Sequence, residues 1–164
     1  MSFRDALEFS MTSIASIDSL VLSARLPGTW RLHSRIDVDG AGKEVPDPAL
    51  GSAPIALLFY DRTGNFAAQF MNPNRDQSVA EGLAIAKNNT QAVGGYDAYF
   101  GKYAVDDATG VVTQTLLGAL SKANVGATIS RTMTVTGDSL GIKLETASWN
   151  GTPVIRTFTW ERIG

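Results

Sequence analysis

TISRTMTVT at residues 128–136, SLGIKLETA at 139–147 and PVIRTFTWER at 153–162 decide the fold. In each stretch the side chains alternate one by one. Ile129, Arg131, Met133 and Val135 fall on one face, with Ser130, Thr132 and Thr134 on the other. A period of two is the mark of a half-buried strand, because successive side chains point to opposite faces of a sheet. Gly137-Asp138 and Asn150-Gly151 separate the three stretches, and both pairs suit the positive φ of tight hairpin turns.

Working outward, the same period runs back to Thr29. It predicts further strands at residues 29–37, 55–61, 65–71, 96–105 and 111–118. Asp61-Arg62-Thr63-Gly64 and the 106–110 segment, Asp-Asp-Ala-Thr-Gly, supply turn chemistry between them. Two connections depart from the pattern. Residues 38–54 (VDGAGKEVPDPALGSAP) predict a long Gly- and Pro-rich loop. Residues 78–92 predict a short helix between strands three and four, with Ser78 and Glu81 at capping-box spacing ahead of Leu83 and Ala86. Residues 1–27 predict an N-terminal helical segment. Phe3, Leu7, Met11 and Ile14 recur at helical spacing, Ser16 is placed to cap a second short helix, and Pro27-Gly28 stops it. The chain thus divides into a helical segment, 1–27, and one β-domain, 28–164. Eight strands in consecutive order close most simply into an all-β, antiparallel up-and-down barrel, which removes their exposed edges. A two-sheet sandwich shares the strand pattern and stays open as the alternative.

The 164 residues carry a formal net charge of −2, from 14 basic and 16 acidic side chains. No block of like charge stands out, which argues against nucleic acid as a main partner. No apolar run approaches the roughly 18 residues that a membrane span needs. Arg4, Asp5, Glu8 and Asp18 interrupt the N-terminal stretch, so a secretory signal is not expected and a cytoplasmic location is. There is no cysteine. Disulfides, thiol catalysis and Cys-based metal sites are excluded, and with His33 the one histidine, no metal site is expected.

Topology sorts the connections. The short hairpins at 61–64, 106–110 and 137–138 fall at one end. The 38–54 loop, the 78–92 helix, the 119–127 connection and the 148–152 turn fall at the other, which is the expected mouth. Alternation sorts the faces. On the first strand Trp30, Leu32, Ser34 and Ile36 are expected inside, and Arg31, His33, Arg35 and Asp37 outside. Asp97, Tyr99 and Tyr103 are expected inside strand four, and Gln114 inside strand five. Met133 and Arg131 follow on strand six, and Arg156 and Phe158 on strand eight. The hairpin of strands two and three is apolar on both faces. Whether Tyr60 or Gln69 points inward stays open there, as does what covers its outer face: the N-terminal helical segment or a second copy in a homodimer.

Gly28-Thr29-Trp30 resembles the G-x-W motif of lipocalins. Leu26-Pro-Gly-Thr-Trp-Arg-Leu, Tyr60-Asp-Arg-Thr-Gly-Asn, Gly95-Tyr-Asp-Ala-Tyr-Phe-Gly-Lys-Tyr and Phe158-Thr-Trp-Glu-Arg resemble the bacterial and fungal lipocalin-like domains, over roughly residues 26–162. The resemblance implies a calycin-type barrel closed at one end by Trp30. It also implies that Arg162, near the end of the last strand, stacks on that indole. The disulfides and the final helix of secreted lipocalins are missing here. Related barrels include both binding proteins and enzymes such as cyclases and hydratases, so the fold does not choose between them.

Asp97, Arg131 and Arg156 are charges on an apolar inner face near the mouth. Burying them costs several kcal/mol unless they are paired. One reading pairs Asp97 with an Arg across the rim, or has both arginines snorkel into water. The other has an Arg meet a carboxylate, phosphate or carbonyl on a ligand. The expected ligand-binding set is therefore Asp97, Tyr99, Tyr103, Gln114, Arg131, Met133, Arg156 and Phe158. The expected function is to bind an apolar small molecule bearing a polar or acidic group. The alternative is a cofactor-free isomerase, cyclase or hydratase/dehydratase, with Asp97, Tyr99 or Arg131 as catalytic candidates and no cofactor.

Overall fold

The structure, a computed structural model, describes residues 20–75 and 88–164. After a one-turn helix α1 (Leu22–Arg25) come eight strands: β1 (Gly28–Asp39), β2 (Ile55–Tyr60), β3 (Asn65–Met71), β4 (Tyr96–Asp106), β5 (Val111–Ala119), β6 (Thr128–Thr136), β7 (Ser139–Ala147) and β8 (Pro153–Arg162). They form one closed barrel in sequence order, every neighbour antiparallel. The sandwich is thereby excluded. The strand bounds follow the period-two segments to within two residues, because the turn residues that end each segment cannot continue a ladder.

The expected N-terminal helix over residues 1–19 and the expected helix over 78–87 lie outside the described residues. Residues 88–92, taken above as the end of the second helix, are not helical. They form an irregular strap. No described helix is long and apolar enough to cross a membrane.

On β4 to β8 the alternation holds. Asp97, Tyr99, Val112, Gln114, Leu116, Ile129, Arg131, Met133, Leu140, Ile142, Leu144, Arg156, Phe158 and Trp160 are all buried. Each large apolar side chain taken out of water contributes roughly 1.5–3 kcal/mol. In the β2–β3 hairpin Tyr60 faces inward beside Phe66, and Gln69 faces out. On β1 the expectation fails beyond Leu32. Leu32 pairs with Trp160, but Ser34 pairs with Thr159, so His33 is an extra residue in a β-bulge. The bulge reverses the faces that follow. Arg35 and Asp37, expected outside, have side chains only 6% and 2% exposed, whereas Ile36, expected inside, is 40% exposed. His33 itself is exposed.

A second irregularity lies between Phe100 and Gly101, where β5 gains a residue against β4. Gly101 lies so close to the Thr115 carbonyl that no Cβ fits. At the closed end Trp30 is fully buried and its indole N–H donates to the Leu26 carbonyl at 3.0 Å. The Arg162 guanidinium lies 4.1 Å from the centre of the Trp30 ring. It also donates to the Pro27 and Arg25 carbonyls at 2.8 and 2.5 Å. One side chain thus stacks on the barrel floor and caps the end of α1. Ser23 fastens α1 to the β4–β5 hairpin through Asp107.

Candidate functional site

Three connections converge on the mouth. Asp47 comes from the β1–β2 loop, Asn89 and Thr90 from the strap, and Trp149 from the β7–β8 turn. With Arg35, Asp97, Arg131 and Arg156 from the strands, they line an upper chamber of about 40 Å³. Below it a lower chamber of about 10 Å³ is lined by Leu58, Tyr60, Phe70, Gln114, Ile142 and Trp160. Tyr99, Arg131 and Phe158 line both, so the two chambers are stacked along one axis. A water needs about 10–15 Å³, so the closed chambers hold a few waters at most. A larger groove of about 440 Å³ lies outside the barrel, where Val38, Ala147 and Ile155 approach the rim. It is shallow, and its Asp39 carboxylate is already bonded to the Ala41 and Lys43 N–H groups. The interior carries the chemistry.

The three inward arginines differ in their partners. Arg156 grips Asp37 with two bonds of 2.7 Å and donates to Asn89 at 2.7 Å. Arg35 pairs with Asp47 at 2.7 Å and lies 3.9 Å from Asp37. Burial lowers the Arg35 pKa, Arg156 lowers it further, and the two carboxylates oppose that shift. Arg131 is different. Among the described residues its one hydrogen bond goes to the neutral Gln114 at 2.8 Å, and no carboxylate lies within ion-pair distance.

Among the described residues Asp97 is the one inward carboxylate that no arginine holds. Thr90 donates to its Oδ2 at 2.5 Å, and its Oδ1 has no hydrogen-bond partner among the described residues. Burial pushes the Asp97 carboxyl up to about 6, against the opposing pull of Thr90, the Ala98 backbone N–H, Arg131 and Arg35. Burial raises the Tyr99 hydroxyl pKa, with the nearby Arg131 cation opposing that shift. Below them Gln114 donates to the Tyr60 hydroxyl at 2.8 Å, and that hydroxyl reaches Met133 Sδ at 3.7 Å.

The strap is stitched to the barrel residue by residue. Asn88, at φ 60°, accepts from the Ser130 N–H. Asn89 accepts from Arg156 and Thr90 donates to Asp97. Gln91 donates its N–H to Asn124 and accepts from Ser121. Asn89 and Thr90 thereby form part of the upper chamber's wall.

A family model described as a lipocalin-like domain matches residues 27–163. The chain belongs to this family. Nothing matches it among the curated proteins. Within this lipocalin-like barrel, Asp97, Tyr99, Gln114, Arg131, Arg156 and Phe158 meet around the stacked chambers. Met133 touches them through Tyr60. Tyr103 lines neither chamber, although its ring meets Tyr60 edge-on at 4.8 Å. It is half-buried near the closed end, where its hydroxyl donates to the Asp61 carbonyl at 2.5 Å. The expected Asp97–Arg pair is absent among the described residues. Arg156 takes Asp37 instead, a partner that alternation hid behind the β1 bulge. Arg35, Asp47, Asn89 and Thr90 were not among the expected site residues. For Arg35 no local signal marks an inserted residue, and the other three sit on connections where periodicity says nothing.

Proposed function

We propose that this barrel holds a small, largely apolar molecule whose acidic or carbonyl group meets Arg131. The observation that carries the reading is Arg131 itself. Among the described residues this buried cation has only a neutral partner, which is costly, and a well-packed apolar residue would be more stable in its place. A ligand oxygen supplies the missing partner, and a guanidinium suits such oxygens. Phe70, Phe158, Ile142 and Trp160 form the apolar wall. Native mass spectrometry of gently purified protein tests this. A co-purifying lipophile is expected on the wild type and should be lost from Arg131→Met. Equal retention by both would sink the assignment of Arg131.

Asp97 favours a second reading, that of a cofactor-free isomerase, cyclase or hydratase/dehydratase. A carboxyl near 6 with one unused oxygen can take or give a proton at neutral pH. Arg131 would then stabilise a developing oxyanion. On this reading Asp97→Asn abolishes turnover and keeps binding. A ligand that leaves the wild type unchanged after prolonged incubation marks a binder.

A further inference from the structure

We infer that the lower chamber is a subsite for a hydrogen-bond-accepting oxygen on a flat aromatic or conjugated ligand, read by the Arg131–Gln114–Tyr60 chain. This rests on the proposal that the barrel is a binding chamber and adds which ligand chemistry its depth accepts.

The direction of the chain is fixed by its first member. A guanidinium only donates, so Gln114 must turn its oxygen to Arg131 and its amide N–H to Tyr60. Tyr60 therefore accepts from Gln114, and its own proton points onward. There it meets only the Met133 thioether at 3.7 Å, a weak acceptor. Burial holds the Tyr60 hydroxyl well above the usual phenol range, so it keeps that proton. Donors in series polarise one another in a low-dielectric site, and a cation heads this series. Trp160, which also lines the chamber, has a buried indole N–H with no acceptor among the described residues.

The acceptors in the chamber are committed by contrast. The Gln114 oxygen is taken by Arg131, and Tyr60 by Gln114. A ligand amine would find little here and would be repelled by Arg131. A carbonyl, phenolate or carboxylate oxygen would find a better-matched donor than sulfur offers now. The walls select the rest of the molecule. The Phe70 ring lies 6.4 Å from Tyr99, 5.8 Å from Phe158 and 5.7 Å from Trp160. These rings already touch one another, so a ligand's flat π-system would lie against the faces and edges they turn to the chamber, in the offset or edge-on geometry that aromatic pairs favour.

Acetophenone and α-methylstyrene provide the test, because they share a shape and differ by a carbonyl oxygen against a methylene. Each is titrated into the full chain and followed by ¹H–¹⁵N NMR, with the Trp160 indole assigned. Acetophenone is expected to bind about tenfold tighter. That preference should fall to about threefold or less in Tyr60→Phe and in Gln114→Leu, each checked for a folded spectrum. Equal affinity of the two compounds for the wild type would overturn the acceptor subsite and leave the binding chamber standing. A tenfold preference unchanged in both variants would overturn the assigned chain. Failure of both compounds to bind would overturn the subsite and the chamber together.

Discussion

Arg156 and Arg131 both reach the barrel interior, yet replacing each by Met should have very different costs. Arg156→Met leaves Asp37 buried without its two-pronged partner, and stranding a buried charge costs about 3–5 kcal/mol. Arg131→Met removes a cation whose one partner is neutral, so stability should stay within about 1 kcal/mol of wild type. Urea unfolding of the two variants checks the contrast. Asp97 adds a pH signature. Its carboxyl sits near 6 in the fold against 3.8 as its ordinary value. Between those values the folded chain holds a proton that the unfolded chain has lost, so stability falls as pH rises through that window. The fall should be about 3 kcal/mol. Asp97→Asn should remove it, which shows as a higher Tm than wild type at pH 7.5 and little difference at pH 4. Most of these inner residues were legible from alternation, because β4 and β6 to β8 run unbroken through the site. Arg35 and Asp37 were not. Their faces depend on one inserted residue, and the exposed His33 looks like any other surface position.

At the scale of elements, the strap is the part that sequence left unread. Its residues bind the barrel through side chains of Asn88, Asn89, Thr90 and Gln91, polar groups with no periodicity to betray their partners. The strands were legible for the opposite reason: burial on one face imposes a period that the next turn ends. Asn88 is the strap's most exposed weakness. Its left-handed backbone favours Asn or Gly, and its side chain takes the Ser130 N–H. Asn88→Ala should cost about 1–2 kcal/mol locally. The Ser130 amide should then exchange with solvent at least several-fold faster, while amides in mid-strand β7 keep their wild-type rates. Unchanged exchange at Ser130 would show that the strap is held elsewhere.

For the molecule as a whole, closure depends on β1 meeting β8 across nearly the full length of the chain. Gly28 and Arg162 sit at the end of that junction. Gly28 has φ 148°, and an added Cβ would press on the Arg162 guanidinium and the Gly164 carbonyl. Gly28→Ala should therefore cost about 1–3 kcal/mol and lower Tm by several degrees. The barrel was readable from its regular strand segments, and its closed end from the resemblance that Gly28-Thr29-Trp30 and Arg162 carry. The charge pairs at the mouth were not, since they join β1 to β8 and the β1–β2 loop to β1.

The bulge at His33 has a genetic meaning. Strand length at one position, not residue type, decides whether Arg35 and Asp37 look into the barrel or into water. Loss of a single codon there would turn both charges outward and Ile36 inward, and would leave Arg156 without its carboxylate. A chain in this family with one residue fewer before the second half of its first strand should line its mouth with grease where this one has ions. Comparison of such chains must therefore count residues before it compares them.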